Sequence, residues 1–382
     1  MKKTADCVII GGGIVGASIA YYLARKHGMN DVVLLEAEYL SSGATGRCGG
    51  GIRQQWSTGP NTELAIESVR EFANLEEELD ADIEFLQGGY LVLAYEENEV
   101  EQFEKNVALE RNLGLDVETL TPAEIRDRVV PGLNTDGVLM ATWCPSDGSA
   151  NPFLATQAYA EAAKRLGVEI ELFTPAIRVL ATDGAVTGVE TPEGVIASRR
   201  VVNAAGSHSV PLAATVGVEL PITPFRREIL VTEPLERFLD PMIISFSLGV
   251  YFRQVKHGSV LGGFADPDEP AGFNETSSLD FLEAMSWKLE HLMPALASVK
   301  VVRQWAGLYD MTPDALPILG PVENVRGFYQ ANGFSGHGFM IAPKVSMLLA
   351  QLIAGEEPDL DIDRLNVRRF AEGTFSQEQS VV

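Results

Sequence analysis

Gly11, Gly13 and Gly16 stand in the spacing G-x-G-x-x-G, and Glu36 closes a second apolar run, "DVVLLEAE". Residues of this kind suit a phosphorylated ligand laid against bare backbone. The first glycine permits the turn, the second lets the chain approach a pyrophosphate, and the third allows close helix–strand contact. An acid about twenty residues further on accepts hydrogen bonds from a ribose. Directly after it comes the loop Ser41–Ser57, "SSGATGRCGGGIRQQWS", which mixes glycines with Arg47, Arg53 and the lone Cys48. In a chain of formal net charge −24, a local positive patch has a particular anion to meet, unless its charges simply solvate the surface.

The elements that must hold these residues are legible around them. "DCVII" predicts a short buried strand from Asp6 to Ile10, and "GGGIVGASIAYYLARKHG" a helix entered through glycines and ended by Gly28. With "DVVLLEAE" they make a βαβ unit, and the phosphates fall at the positive end of the helix. The chain then leaves this pattern. "TELAIESVREFANLEEEL" predicts an amphipathic helix, "GGYLVLAY" a strand and "EENEVEQFEKNVALERNLG" a solvent-facing helix. The α/β rhythm returns from Pro152 to Gly206, departs again through strand runs such as "LGVYFRQV" and "GSVLGGF", and closes on "GFYQANGFSGHGFMIAPKVSMLLAQLIAG". A chain of 382 residues exceeds what one core usually serves. The expected architecture is therefore mixed α/β and α+β, with a Rossmann-like nucleotide domain (residues 1–85, 146–220 and 318–382) interleaved with a second domain (86–145 and 221–317). The tail after Phe375 is expected to fray.

Composition excludes several function classes. The acidic balance disfavours nucleic acid, whose phosphates would be repelled. No apolar run approaches the roughly 20 residues of a membrane span, and a cytoplasmic location is expected. Cys7, Cys48 and Cys144 form no CxxC pair, and none of the five histidines is paired at helical spacing, so no metal site is expected.

Four segments together carry a resemblance: the glycine motif, the loop Gly43–Gly51, "VVNAAGSHS" at Val201–Ser209 and "NGFSGHGFM" at Asn332–Met340. With "MTPDALPILGPV" before the last of them, the chain resembles the D-amino-acid oxidase superfamily of FAD enzymes. Within it, the likeness is greatest to the beta subunits of heteromeric sarcosine oxidase and of dye-linked L-proline dehydrogenase. The resemblance implies an antiparallel sheet in the second domain and hydride transfer from the C–N bond of a secondary amine or amino acid to flavin. It places Gly11, Gly13 and Gly16 at the FAD pyrophosphate and Glu36 at the adenosine ribose. Ser42, Thr45, Gly46 and Arg47 would run beside pyrophosphate and flavin, with Ala205 and Gly206 under the dinucleotide. Gly333, Ser335, Gly336, His337, Gly338 and Phe339 would bring backbone N–H groups to the flavin's pyrimidine end, where reduced flavin carries negative charge. For His337 a role in the turn alone is an equal alternative.

An amino-acid substrate needs a fixed cation, and arginine offers a bidentate fork. The resemblance puts Arg53 in that role, against the alternative of a structural salt bridge. Tyr251 and Arg253 alternate along "GVYFRQ" and share a face, as a hydroxyl and a cation over the substrate or as a solvated sheet face. Tyr309 is a weaker candidate, and Arg226 and Arg227 are equally readable as a subunit contact. Departures from the family pattern also count. Gly307 and Leu308 stand where a flavin-linking cysteine would be, so FAD should be non-covalent. Met340 replaces a lysine that would pair with the carboxylate. Val260 and Leu261 are apolar where an oxygen-activating lysine would fall, which favours a dehydrogenase over an oxidase. "DGSANP" lacks the histidine that would tether FMN, leaving only non-covalent FMN at a subunit interface open. Electrons would pass to a partner subunit, a quinone or a dye-like acceptor. Two other readings stand beside this one: a flavoenzyme acting on a D-amino acid, glycine or a 2-hydroxy acid, and a non-catalytic subunit that holds flavin as scaffold.

Overall fold

The computed structural model describes residues 2–375 and 377–380. A six-stranded sheet has the strand Cys7–Ile10 near its centre, running parallel to Val32–Leu35 on one side and Val201–Asn203 on the other. Glu169–Glu171 and Phe328–Asn332 extend it in parallel, and Ile318–Pro321 closes one edge antiparallel. The first two strands are buried at every position, as sheets covered on both faces require. Alternation divides the load. Cys7, Ile9, Val32 and Leu34 join the core containing the helices Ile14–His27, Pro152–Arg165 and Gly338–Ala354. Val8, Ile10, Val33 and Leu35 pack instead with Val179, Val186, Val189 and Ile196 of a three-stranded antiparallel sheet. Gly28 ends the first helix in the left-handed region, its N–H donating to Leu23.

The second sheet has eight strands, drawn from residues 90–144 and 223–311. It is antiparallel throughout except where Met242–Ser245 runs parallel to Tyr90–Ala94. One face packs on the helix Leu279–Leu292 through Phe252, Val260, Phe281, Met285 and Leu289. The opposite face carries Tyr90, Met242, Ile244, Tyr251 and Leu261 towards the nucleotide-type sheet. The site described below lies between the two sheets.

Two expectations need correction. The helix Glu97–Asn112 is not simply solvent-facing, because it buries Phe103, Val107 and the carboxylate-bearing Glu110. The tail also returns to the body: Glu378 is 2% exposed and its N–H donates to the Asp314 carbonyl at 3.0 Å. Ser376, Val381 and Val382 lie outside the described residues. Among the described residues, no helix is long and apolar enough to cross a membrane, and no group of three or more His, Cys, Asp or Glu is placed to hold a metal ion.

Candidate active site

A cavity of about 540 Å³ runs from the first glycine turn to the face of the eight-stranded sheet. At one end it is bordered by Gly11, Gly13, Glu36, Ser42, Thr45, Ala205 and Gly206, and at the other by Arg227, Tyr251, Tyr309, Gly338 and Phe339. Its shape depends on missing side chains. A Cβ on Gly11, whose φ is +114°, would stand 2.3 Å from the Ala204 carbonyl oxygen. One on Gly13 would stand 2.9 Å from Thr45 Oγ1, the atom that accepts the Ile14 N–H at 3.1 Å. Gly16 does not border the cavity. Its Cβ would lie 1.9 Å from the Gly11 carbonyl oxygen, so it serves the contact between helix and strand.

Glu36 ties this end together. One carboxylate oxygen accepts the Gly12 N–H at 2.6 Å, and the other accepts from the Glu38 N–H and the Ser42 hydroxyl at 2.8 and 3.1 Å. Arg47 reaches across to the second sheet, donating to the Ser42 and Ala306 carbonyls at 3.0 and 2.9 Å and pairing with Glu275 at 3.2 Å. Gly46 faces away from the cavity, against the Ser41 carbonyl and the Phe153 ring. Under the middle, Ser207 borders the cavity and its buried hydroxyl has no partner among the described residues. A polar ligand would satisfy it.

At the far end, the turn before the last long helix differs from the expectation. Gly333 donates its N–H to Asp310 Oδ2 at 2.8 Å and Ser335 donates to the Asp310 carbonyl at 3.3 Å, so neither faces the cavity. Burial pushes the Asp310 carboxyl up to about 6, against the pull of these backbone N–H groups. Gly336 does border the cavity; a Cβ there would strike the Tyr309 ring at 2.2 Å. The helix Gly338–Ala354 starts here without a side-chain cap, and its first residues line the wall. Its free N–H groups and positive dipole end suit an anionic ring system.

A second cavity, of about 60 Å³, adjoins the first and shares Cys48, Tyr251, Tyr309, Gly336 and Phe339 with it. Arg53 and His337 line it, with Tyr90, Met242, Ile244 and Met340. Arg53 is 3% exposed and lies 4.4 Å from the centroid of the Trp56 ring. One guanidinium nitrogen, Nη2, donates to the Ser380 carbonyl at 2.6 Å, whereas the buried Nη1 has no partner among the described residues. Such a donor costs about 1–3 kcal/mol unless something accepts from it, more where charge is involved. No carboxylate of the described residues forms an ion pair with Arg53, although burial lowers its pKa and neighbouring acids oppose that shift. His337 lines this smaller cavity and not the larger one, edge-on to Trp56 at 4.4 Å. Burial, and then the Arg53 charge, hold it well below the ordinary imidazole value, so it is neutral at physiological pH. Burial likewise raises the phenols of Tyr90, Tyr251 and Tyr309, which stay protonated, and pushes the Cys48 thiol up to about 11.

Arg253 is elsewhere. It donates to the Gly49 carbonyl at 2.6 Å, the Ser149 hydroxyl at 3.1 Å and the Ala150 carbonyl at 3.3 Å, and borders neither cavity. It shares a sheet face with Tyr251 but lies one pleat further along, where it holds the glycine loop against the strand Gly148–Ser149. Arg226 forms a bidentate pair with Glu269 at 2.6 and 3.0 Å within the chain. Three bordering residues are assigned no part in the site from sequence: Ser207, although it lies in "VVNAAGSHS", Asp310, and Arg227, which reads there as a subunit contact. The last reaches the cavity only because its strand pairs with Val301–Met311 in the register Arg227↔Gly307.

Three kinds of comparison place this arrangement. A profile of the family described as FAD dependent oxidoreductase (DAO) matches residues 6–352. The chain is 32% identical over 384 residues to sarcosine oxidase subunit beta of an Arthrobacter species, spanning 99% of this chain and 94% of that one. It is 30% identical to mitochondrial dimethylglycine dehydrogenase of Rattus norvegicus over 98% of this chain, but it spans only 46% of that relative. Among solved structures, L-proline dehydrogenase from P. horikoshii matches with a TM-score of 0.93 at 36% identity, over 98% of this chain and 99% of that one. Glycine oxidase from Geobacillus kaustophilus matches at 0.89 and 26%, over 96% and 99%.

Proposed function

Because the chain belongs to the FAD-dependent oxidoreductase family, we propose that it oxidises the C–N bond of a small secondary amino acid, L-proline or sarcosine, in the smaller cavity. One observation carries the reading: the buried Nη1 of Arg53, without a partner among the described residues, beside neutral His337 and three protonated tyrosines. A carboxylate is the natural acceptor for such a donor. The similarity to sarcosine oxidase subunit beta and to L-proline dehydrogenase supports the substrate class.

Gly11, Gly13, Glu36, Ser42, Thr45, Arg47, Ala205 and Gly206 are the residues we assign to hold FAD, with Gly336, Gly338 and Phe339 at its ring end. Bound FAD supplies the acceptor for the hydride. Arg53 fixes the substrate carboxylate, and the apolar Met242, Ile244, Phe339 and Met340 keep water from the carbon that loses hydride. His337, lacking a proton on one ring nitrogen, can accept a hydrogen bond from the substrate nitrogen. As the C–H electron pair departs, the nitrogen lone pair forms the C=N bond of an iminium, which gives its N–H proton to water as the imine leaves or is hydrolysed. The nearly full-length likeness to a beta subunit supports a place in a heteromer, with electrons leaving to a partner, a quinone or a dye-like acceptor.

Anaerobic mixing of the FAD-loaded protein with L-proline, sarcosine, glycine and D-amino acids tests this. L-Proline or sarcosine should bleach the visible flavin absorbance fastest. A faster D-amino acid or glycine would move the assignment to those substrates, and absence of bleaching by any of them would sink it. Arg53→Met should lose turnover while keeping flavin; unchanged turnover would leave a flavin-holding scaffold as the reading.

A further inference from the structure

We propose that Glu378 is a positioning residue for substrate binding, acting through the carbonyl of Ser380 on Arg53, an assignment that rests on Arg53 being the carboxylate anchor. The segment 377–380 crosses behind the substrate cavity. Its Glu378 carboxylate accepts from the Ser57 N–H at 2.9 Å, the Thr58 hydroxyl at 2.8 Å, Asn61 Nδ2 at 2.9 Å and the Ser380 N–H at 3.0 Å, as well as from the Ser57 hydroxyl. Thr58 is the N-cap of the 21-residue helix Gly59–Leu79 and offers no side-chain cap of its own. Glu378 therefore supplies the negative charge that a helix N-terminus favours, from a segment more than three hundred residues away. The Glu378 N–H is fixed to the Asp314 carbonyl at 3.0 Å, and the Asp314 carboxylate is held by Arg369 at 2.7 and 3.0 Å. The Gln379 N–H adds a bond to Ser57 Oγ at 3.0 Å.

This anchoring decides which group meets Arg53. The one carboxylate of the segment is occupied by donors around the helix start, so among the described residues of the tail only a neutral carbonyl, that of Ser380, reaches the guanidinium. A carbonyl takes Nη2 without forming a close ion pair with the cation. Nη1 has no acceptor among the described residues, and the Trp56 and Phe246 rings, at 4.4 and 5.4 Å, limit where the group can turn. Released from Ser380, the side chain keeps its charge but loses a fixed direction. Binding of a carboxylate then becomes weaker, while binding of a ring without one does not change.

The test uses the FAD-loaded full chain, Glu378→Gln, a chain ending at Phe375, and Arg53→Met. The probes are pyrrole-2-carboxylate, an unreactive carboxylate of the proposed substrate's size, and pyrrole, followed by perturbation of the flavin spectrum. Either tail change should weaken pyrrole-2-carboxylate about tenfold, equivalent to about 1.4 kcal/mol, and leave pyrrole and FAD content unchanged. In turnover, KM for the amino acid should rise by a similar factor while the limiting rate of flavin reduction stays within about twofold. If Arg53→Met loses the carboxylate probe but both tail variants bind it as the parent does, the role of Glu378 is overturned and that of Arg53 stands. If Arg53→Met binds it normally, the anchor reading falls and this one with it. Equal weakening of both probes shows a merely structural tail and also overturns the proposal.

Discussion

The guanidinium carbon of Arg227 lies 5.2 Å from the ring centroid of Tyr309, and both side chains border the larger cavity at the end nearest the eight-stranded sheet. Nη1 of Arg227 donates to the Arg226 carbonyl at 2.9 Å, while its buried Nε has no partner among the described residues. A cation thus stands at the cavity, although neither Val260 nor Leu261 borders it. Its charge should favour anionic forms of the bound flavin. Arg227→Met is expected to weaken the flavin–sulfite adduct about tenfold in a spectrophotometric titration. An unchanged dissociation constant would remove Arg227 from the flavin's electrostatics.

Gly16 has no tolerance for a side chain, since a Cβ would lie 1.9 Å from the Gly11 carbonyl oxygen. Gly16→Ala should push the first helix off its strand at a cost of about 1–3 kcal/mol and disturb the turn that holds the pyrophosphate. Reduced FAD content after gel filtration, with a lowered melting temperature, is the expected result. Full occupancy would show that the helix can shift freely.

Arg253 and Arg53 should separate by phenotype. Arg253→Met strands the Gly49 and Ala150 carbonyls and the Ser149 hydroxyl, and should cost about 3 kcal/mol in denaturant unfolding. Flavin-loaded protein that survives should keep its KM for the amino acid. A large rise in KM at unchanged stability would return Arg253 to the substrate.

Glu110 makes stability depend on pH. Burial, and then the charge of Asp147, push its carboxyl up to about 8 from an ordinary value of 4.5, with Arg53 and the Trp56 N–H opposing. The folded chain therefore holds a proton that the unfolded chain releases between pH 4.5 and 8, so stability falls as pH rises through that window. Asp147, raised to about 6 by burial, acts in the same direction below it. Chemical denaturation at pH 6 and pH 8 should differ by about 1–3 kcal/mol, and Glu110→Gln should flatten the dependence. An identical slope in the variant would place the proton elsewhere.

What was legible in the sequence was local. Gly11, Gly13 and Glu36 could be assigned because strand, turn, helix and second strand follow one another within forty residues. Tyr251 was found by alternation, yet the same alternation suggested Arg253, since sharing a face does not say which pleat meets the cavity. Gly333 and Ser335 follow the glycine-rich pattern, but their N–H groups go to Asp310, which a distant strand supplies. Arg227 and Glu378 depend on strand register or on a returning tail, neither of which leaves a periodic signal. Glu110 sits in a strongly charged helix whose composition hides its buried face.

The strand Cys7–Ile10 is flanked by Val32–Leu35 and by Val201–Asn203, and the latter in turn by Phe328–Asn332. During synthesis at about 5–20 residues per second, the first strand waits on the order of ten seconds or more for its second neighbour. Throughout that time one hydrogen-bonding edge of a wholly apolar strand is without its native cover. The nascent chain thus carries a sticky template for about half of its translation, and slow β-sheet closure is the step at which a chaperone, or early capture of cofactor, would most affect yield.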